Sequence, residues 1–164
     1  MSLPKPQNES FEPLSLEKAA TLLLEECRMV LPGIQALFGF QFVAVFNAGF
    51  VTRLSPLERD AHLVALMCVL VAAALVLAPA AIHRTAQPRS VSSGFLRMSS
   101  ALLMGSMPPL AIGTTIDVVL VAHIITGNQV AAFCAGGVAL IVFVSAWMLL
   151  PAVARRRFSA LASR

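Results

Sequence analysis

Four apolar stretches, at about 30–51, 61–82, 99–123 and 130–151, contain between them a single formal charge, that of Asp117. About 20 apolar residues at about 1.5 Å rise cross a hydrocarbon core of about 30 Å, so each stretch is long enough to span a bilayer. In water the chain would have to hide stretches that are apolar all round behind very few charged residues. Of 164 residues, 58% are hydrophobic and 12% charged, and mean hydropathy is +0.83, far from the composition of a soluble domain. The expected architecture is an all-α membrane protein with four transmembrane helices, since a helix satisfies its own backbone where no water is present.

The connections at about 52–60 and 124–129 are short, and the second carries the turn-forming run Thr126-Gly127-Asn128. Short loops make neighbouring helices antiparallel, which predicts two hairpins packed as one bundle. Residues 14–28 place Leu16, Ala20, Leu23 and Leu24 among Glu17, Lys18, Glu25 and Glu26. That alternation predicts an amphipathic helix on the cytoplasmic surface, running into the first span near Pro32. The domain organisation expected is a disordered tail at 1–13, a single transmembrane domain at 14–154 and a basic cytoplasmic tail at 155–164.

The basic residues set the orientation. Lys5, Lys18 and Arg28 precede the first span, Arg84, Arg89 and Arg97 lie between the second and third, and Arg155, Arg156, Arg157 and Arg164 follow the fourth. Only Arg53 and Arg59 fall on the other side. An excess of Lys and Arg marks cytoplasmic loops, so both termini are expected in the cytoplasm, against anionic lipid headgroups. That asymmetry accounts for a pI of about 9.6 without nucleic-acid binding. Trp147, near the cytoplasmic end of the last span, suits an interfacial anchor. With Pro4, Pro6, Pro13, Glu9, Glu12 and Glu17 in its first residues, the chain has no apolar core of a cleavable signal before Leu22, and the first span is expected to direct insertion. Cys27, Cys68 and Cys134 form no CxxC pair, so neither zinc nor thiol redox chemistry is expected. No cofactor motif and no HExxH, GxSxG or phosphate-binding loop occurs, and the expectation is a protein that is not an enzyme.

Asp117 is the principal candidate residue. It is expected about two-thirds of the way across, with Gly113 and Thr114 on its own face as a small polar strip. Pro108-Pro109 lies two turns earlier and frees backbone carbonyls that need partners in the bundle. A carboxyl beside a broken helix offers what a proton or Na⁺ site needs. The structural alternative is a protonated Asp117 hydrogen-bonded to Gln41, Asn47 or a threonine, holding helices together. No basic side chain is expected at its depth, so an ion pair is not anticipated.

A second polar group, Glu26, Arg28, Gln35, His83 and Arg84, is expected at the cytoplasmic face. It reads either as an ion pair of Glu26 with Arg84 or Arg28, or as a proton- or anion-accepting mouth, histidine being the residue type that changes charge near neutrality. His62 and His123 are expected at the outer helix ends, and two histidines on different helices are a poor metal signal.

Glu26-Cys27-Arg28, Gly33, Gln35, Leu37-Phe38 and Phe40, then Ala78-Pro79-Ala80-Ala81-Ile82-His83-Arg84, then Asp117-Val118-Val119 together resemble a family of small bacterial inner-membrane proteins of unknown function. The resemblance runs from about residue 22 to about 156. It implies a four-helix inner-membrane protein, and some members carry an automatic sodium:proton antiporter label. Where that family usually has an aromatic residue near the start of its second helix, this chain has His62.

Two functions follow as expectations. One is a structural or accessory bundle protein that oligomerises, in which Asp117 sets packing. The other is a small homo-oligomeric transporter coupled to H⁺ or Na⁺ through Asp117, since four helices leave little room for a pore within one chain.

Overall fold

The computed structural model describes residues 15–86 and 91–155. The 1–13 tail lies outside them, as does the 155–164 tail beyond Arg155. Among the described residues five α-helices follow one another: α1 (Leu16–Val45), the short α2 (Ala48–Arg53), α3 (Pro56–Ala86), α4 (Ser93–Thr126) and α5 (Gln129–Val144). A π-helical turn, Ser145–Leu149, carries α5 onward, so that Gln129–Arg155 is one membrane-length helix. Four helices are thus long and apolar enough to cross a membrane. The π turn precedes Pro151, and Leu150 N–H bonds back to the Ser145 carbonyl. Widening by one residue is a common way for a helix to absorb a local clash, here the missing donor and bulky ring of proline.

Residues 16–45 form one helix with Pro32 inside it. The surface helix expected at 14–28 is therefore the first half of α1, and the chain does not turn at Pro32. The reason lies in the buried positions Ala20, Cys27, Ile34 and Gln41, which recur every seventh residue through the proline. That continuous stripe packs on α3, whose buried His62, Ala65, Val69, Ala72, Val76 and Pro79 alternate at spacings of three and four. Seven-residue and three-four spacings are the signature of helices meeting along a coiled-coil-like seam. A proline at position 32 removes one backbone bond, to the Arg28 carbonyl, and leaves the seam intact. The far end also differs from the expected 30–51 span. α1 stops at Val45, and Asn47 Oδ1 then accepts from Gly49 N–H at 2.9 Å to start α2.

Helix ends are closed by short polar side chains, as orphan backbone groups require. Ser55 and Glu58 form a reciprocal capping box on α3: Ser55 N–H and Oγ–H each donate to Glu58 Oε2 at 2.8 Å, and Glu58 N–H donates to Ser55 Oγ at 3.3 Å. Gly127, at φ 62°, ends α4 with its N–H on the His123 carbonyl at 2.8 Å. Asn128 Oδ1 then accepts from Val130 N–H at 2.9 Å to open α5.

α3 is the central helix, packed on both α1 and α4, while α5 packs on α4. Cys27, Ile34, Val69, Val76 and Leu103 make the core between α1, α3 and α4. The closest approach to another helix's backbone is at Gly113, where a Cβ would sit 2.8 Å from the Ala65 carbonyl oxygen of α3. The nearest atom is backbone and cannot step aside as the end of a flexible side chain would. Gly113→Ala is accordingly expected to lower the melting temperature in detergent, by the equivalent of about 1–3 kcal/mol of overpacking. Gly137→Ala, with nothing within 4 Å of its Cβ, is the matched substitution and should leave it unchanged. Equal melting of the two variants would refute this packing.

Candidate functional site

Asp117 does not stand alone. The three-four seam of α3 delivers His62 to it, with His62 Nδ1 3.2 Å from Asp117 Oδ1. The seven-residue stripe of α1 delivers Gln41, whose Nε2–H donates to Asp117 Oδ2. The other His62 nitrogen, Nε2, lies 3.1 Å from the Gln41 backbone carbonyl. Three helices therefore meet in one hydrogen-bonded group, away from surrounding solvent or lipid: the His62 and Asp117 side chains are 8% and 16% exposed. Phe50 of α2 lays its ring edgewise on His62, centroids 5.2 Å apart.

The partners fix the proton count. A carbonyl only accepts, so His62 Nε2 carries a hydrogen and donates it to Gln41. The Nδ1–Oδ1 contact then needs one more proton, either on Asp117 as a neutral acid or on His62 as an imidazolium facing a carboxylate. Both arrangements leave the pair with no net charge, which suits a low-dielectric site. Gln41 N–H on Oδ2 fits either, since that oxygen accepts in both. With no proton, two lone pairs would face each other; with two, two hydrogens would. The site thus holds a single shared proton.

Beside the group is a cavity of about 230 Å³, otherwise apolar, with Phe40, Leu54 and Val121 in its wall. Gln41 Oε1 is buried without a hydrogen-bond partner. The residues expected to assist Asp117 do other things. Gly113 is the contact with α3, and Thr114 Oγ–H donates to the Leu110 carbonyl of its own helix at 2.8 Å. Pro108 and Pro109 do not break α4, which is continuous from Ser93 to Thr126. The expected broken helix beside the acid is therefore absent.

At the opposite end, Arg28, His83 and Arg84 do come together, around a cavity of about 320 Å³ between α1 and α3 floored by Cys27, Leu31 and Val76. His83 packs on Phe95 at 5.5 Å between centroids, and its Nδ1 is buried without a partner. Glu26 and Gln35 are exposed and do not line this cavity. Among the described residues, Glu26 pairs with neither Arg28 nor Arg84. His123 lies far from this end, 3.5 Å from Glu58 on the wall of a cavity of about 630 Å³ between α3, α4 and α5. His62 and His123 thus serve different carboxylates.

Sequence reasoning missed His62 as the partner of Asp117, treating it as a residue of the helix end. The signal was present in its register with Ala65, Val69, Ala72 and Val76, which places it in the seam.

The chain belongs to a family of unknown function (DUF6328), whose family model matches residues 15–151. No curated protein and no solved structure matches it.

The shared-proton geometry separates two substitutions at position 117. Asn offers an N–H to His62 Nδ1 and an oxygen to Gln41 Nε2, reproducing the neutral acid, so Asp117→Asn should melt close to wild type. Asp117→Leu leaves both partners unsatisfied, at about 1–3 kcal/mol each. Thermal unfolding in detergent should show a clear loss for Leu alone; equal losses for Asn and Leu would mean that a charge, and not the hydrogen-bond pattern, holds the site.

Proposed function

We propose that this protein is a structural or accessory component of a bacterial inner membrane, a four-helix bundle whose Asp117–His62–Gln41 group locks α1, α3 and α4 together. The observation that carries this reading is the saturation of Asp117: one oxygen is engaged by His62 and the other by Gln41. Between that group and the polar inner end lie the buried apolar side chains of Ile34, Val69, Val76 and Leu103, with the hydroxyls of the buried Ser99 and Ser106 beside them, and this largely apolar stretch favours a lock over a conduction path. A lock needs satisfied groups and a dry core, whereas conduction needs exchangeable ones and a wet path.

The membrane arrangement belongs to the same proposal. The start of α3 meets the end of α4 through Glu58 and His123, and the inner ends of α1 and α3 share the Arg28–His83–Arg84 cavity. These contacts support two antiparallel hairpins, with Asp117 toward the outside and the arginine-rich end in the cytoplasm. The first half of α1 then emerges at the cytoplasmic face, where Arg28 and Arg84 meet anionic lipid headgroups.

A second reading is proton- or sodium-coupled transport at Asp117. It draws on the cavity beside the pair and on the buried, unpartnered Gln41 Oε1, which could accept from water or face a cation. Proteoliposomes with an internal pH dye discriminate the two. The structural reading expects no proton movement under Na⁺ or K⁺ gradients beyond that of empty vesicles; flux that Asp117→Asn abolishes would install the transport reading in its place. For orientation, in a background with the native cysteines replaced, Ser55→Cys should label from outside intact cells with an impermeant maleimide. Thr85→Cys should label only after lysis, and the reverse pattern would invert the topology.

A further inference from the structure

Gln35 is a membrane-depth amide for which the bundle provides no partner. Its neighbour Ile34 is buried in the core with Val69 and Val76, residues near the middle of α3 (Pro56–Ala86). Gln35 is therefore level with the centre of the bundle. One residue past Ile34 is a rotation of about 100°, which takes it out of the seam, and it is exposed. Its amide has no hydrogen-bond partner among the described residues. The side chain is too short to carry its amide across half a hydrocarbon core of about 30 Å, and water is absent there. An unpaired amide in hydrocarbon is costly and drives association with whatever can satisfy it.

The surroundings of Gln35 favour a close helix neighbour. Gly39 lies one turn along the same stripe, exposed and with nothing within 4 Å of its Cβ position. Pro32, one turn the other way, is also exposed and leaves the Arg28 carbonyl without its helical donor. Small side chains and freed carbonyls allow two helix backbones to approach in a membrane.

We propose that a second copy of this chain docks on this face of α1, with the Gln35 amides hydrogen-bonded to each other. The occupant is argued from symmetry and chemistry. All copies insert with the same orientation, because the same charge asymmetry directs each of them. A two-fold axis along the membrane normal then packs α1 parallel to α1 and brings each residue opposite itself at equal depth. A primary amide is self-complementary, since its N–H donates to the oxygen of its twin while its own oxygen accepts in return. The proposal rests on the membrane-spanning reading and is independent of the role of Asp117.

Sedimentation equilibrium of the full chain in density-matched detergent, over a range of protein-to-detergent ratios, tests it. The wild type is expected to be in monomer–dimer equilibrium. Gln35→Leu should weaken the dimer by about 3- to 30-fold, the effect of interhelical hydrogen bonds worth about 0.6–2 kcal/mol. Gly39→Leu should weaken it as well, by holding the backbones apart. Gln35→Leu should keep the wild-type melting temperature, because its side chain lies outside the bundle, whereas Asp117→Leu lowers melting. A wild type that is monomeric at every ratio would overturn the second copy as occupant. So would Gln35→Leu with an unchanged association constant, or with lowered melting and unchanged association.

Discussion

Hydrocarbon supplies no hydrogen bonds, and every polar group at membrane depth must therefore find its partner within protein. That constraint organises the bundle more than side-chain size does. Thr85 of α3 and Thr114 of α4 return their hydroxyls to carbonyls of their own helix, at Ala81 and Leu110, while the buried Thr115 hydroxyl has no partner among the described residues. Ser106 returns its hydroxyl to Leu103 at 2.6 Å. Asp117 cannot, because its own helix offers carbonyls to accept and it needs both a donor and a proton-sharing partner. It is the residue that forces a contact between helices, and α1 and α3 are placed to make it.

The chemistry of that contact follows from what each atom can do. His62 must donate through Nε2 because it faces a carbonyl, and this choice commits Nδ1 to a one-proton bond with Asp117. Net neutrality lets a carboxyl and an imidazole share a site from which each alone, if ionised, would be excluded. The same bookkeeping explains why a lock is the better-supported reading. Gln41 uses its amide N–H on Asp117 and its backbone carbonyl on His62, so a single residue of α1 closes both ends of the group. To release a proton, the site would have to open a contact that three helices hold.

Much of this was legible in the chain, though unevenly. Four membrane-length helices follow from length and hydropathy alone, and Gln41 was among the partners that Asp117 could be expected to find. Residue type misled in other places. Pro108-Pro109 read as an interruption, yet α4 continues through it, and α1 likewise runs on through Pro32. In lipid a missing backbone bond is not replaced by water, so the seam and the remaining bonds keep the helix going. His62 read as a helix-end residue because its distance from the hydrophobic boundary was weighed and its phase was not. The three-four alternation of α3 holds that phase, but it becomes decisive only when a partner stripe is known to run beside it.

Phase also decides the fates of two chemically identical residues on α1. Gln41 falls on the seven-residue stripe with Ala20, Cys27 and Ile34 and is consumed inside the bundle. Gln35 lies about 9 Å away along the axis but out of phase, and is turned outward. If the amide at 35 merely filled space, the lipid-facing side of α1 would be better served there by any of the Leu, Val or Phe residues that surround it. An outward amide at that depth makes sense where another chain meets it. In the proposed dimer the two glutamines divide the polar work of α1, one tying the helix to its own bundle and the other to the second copy.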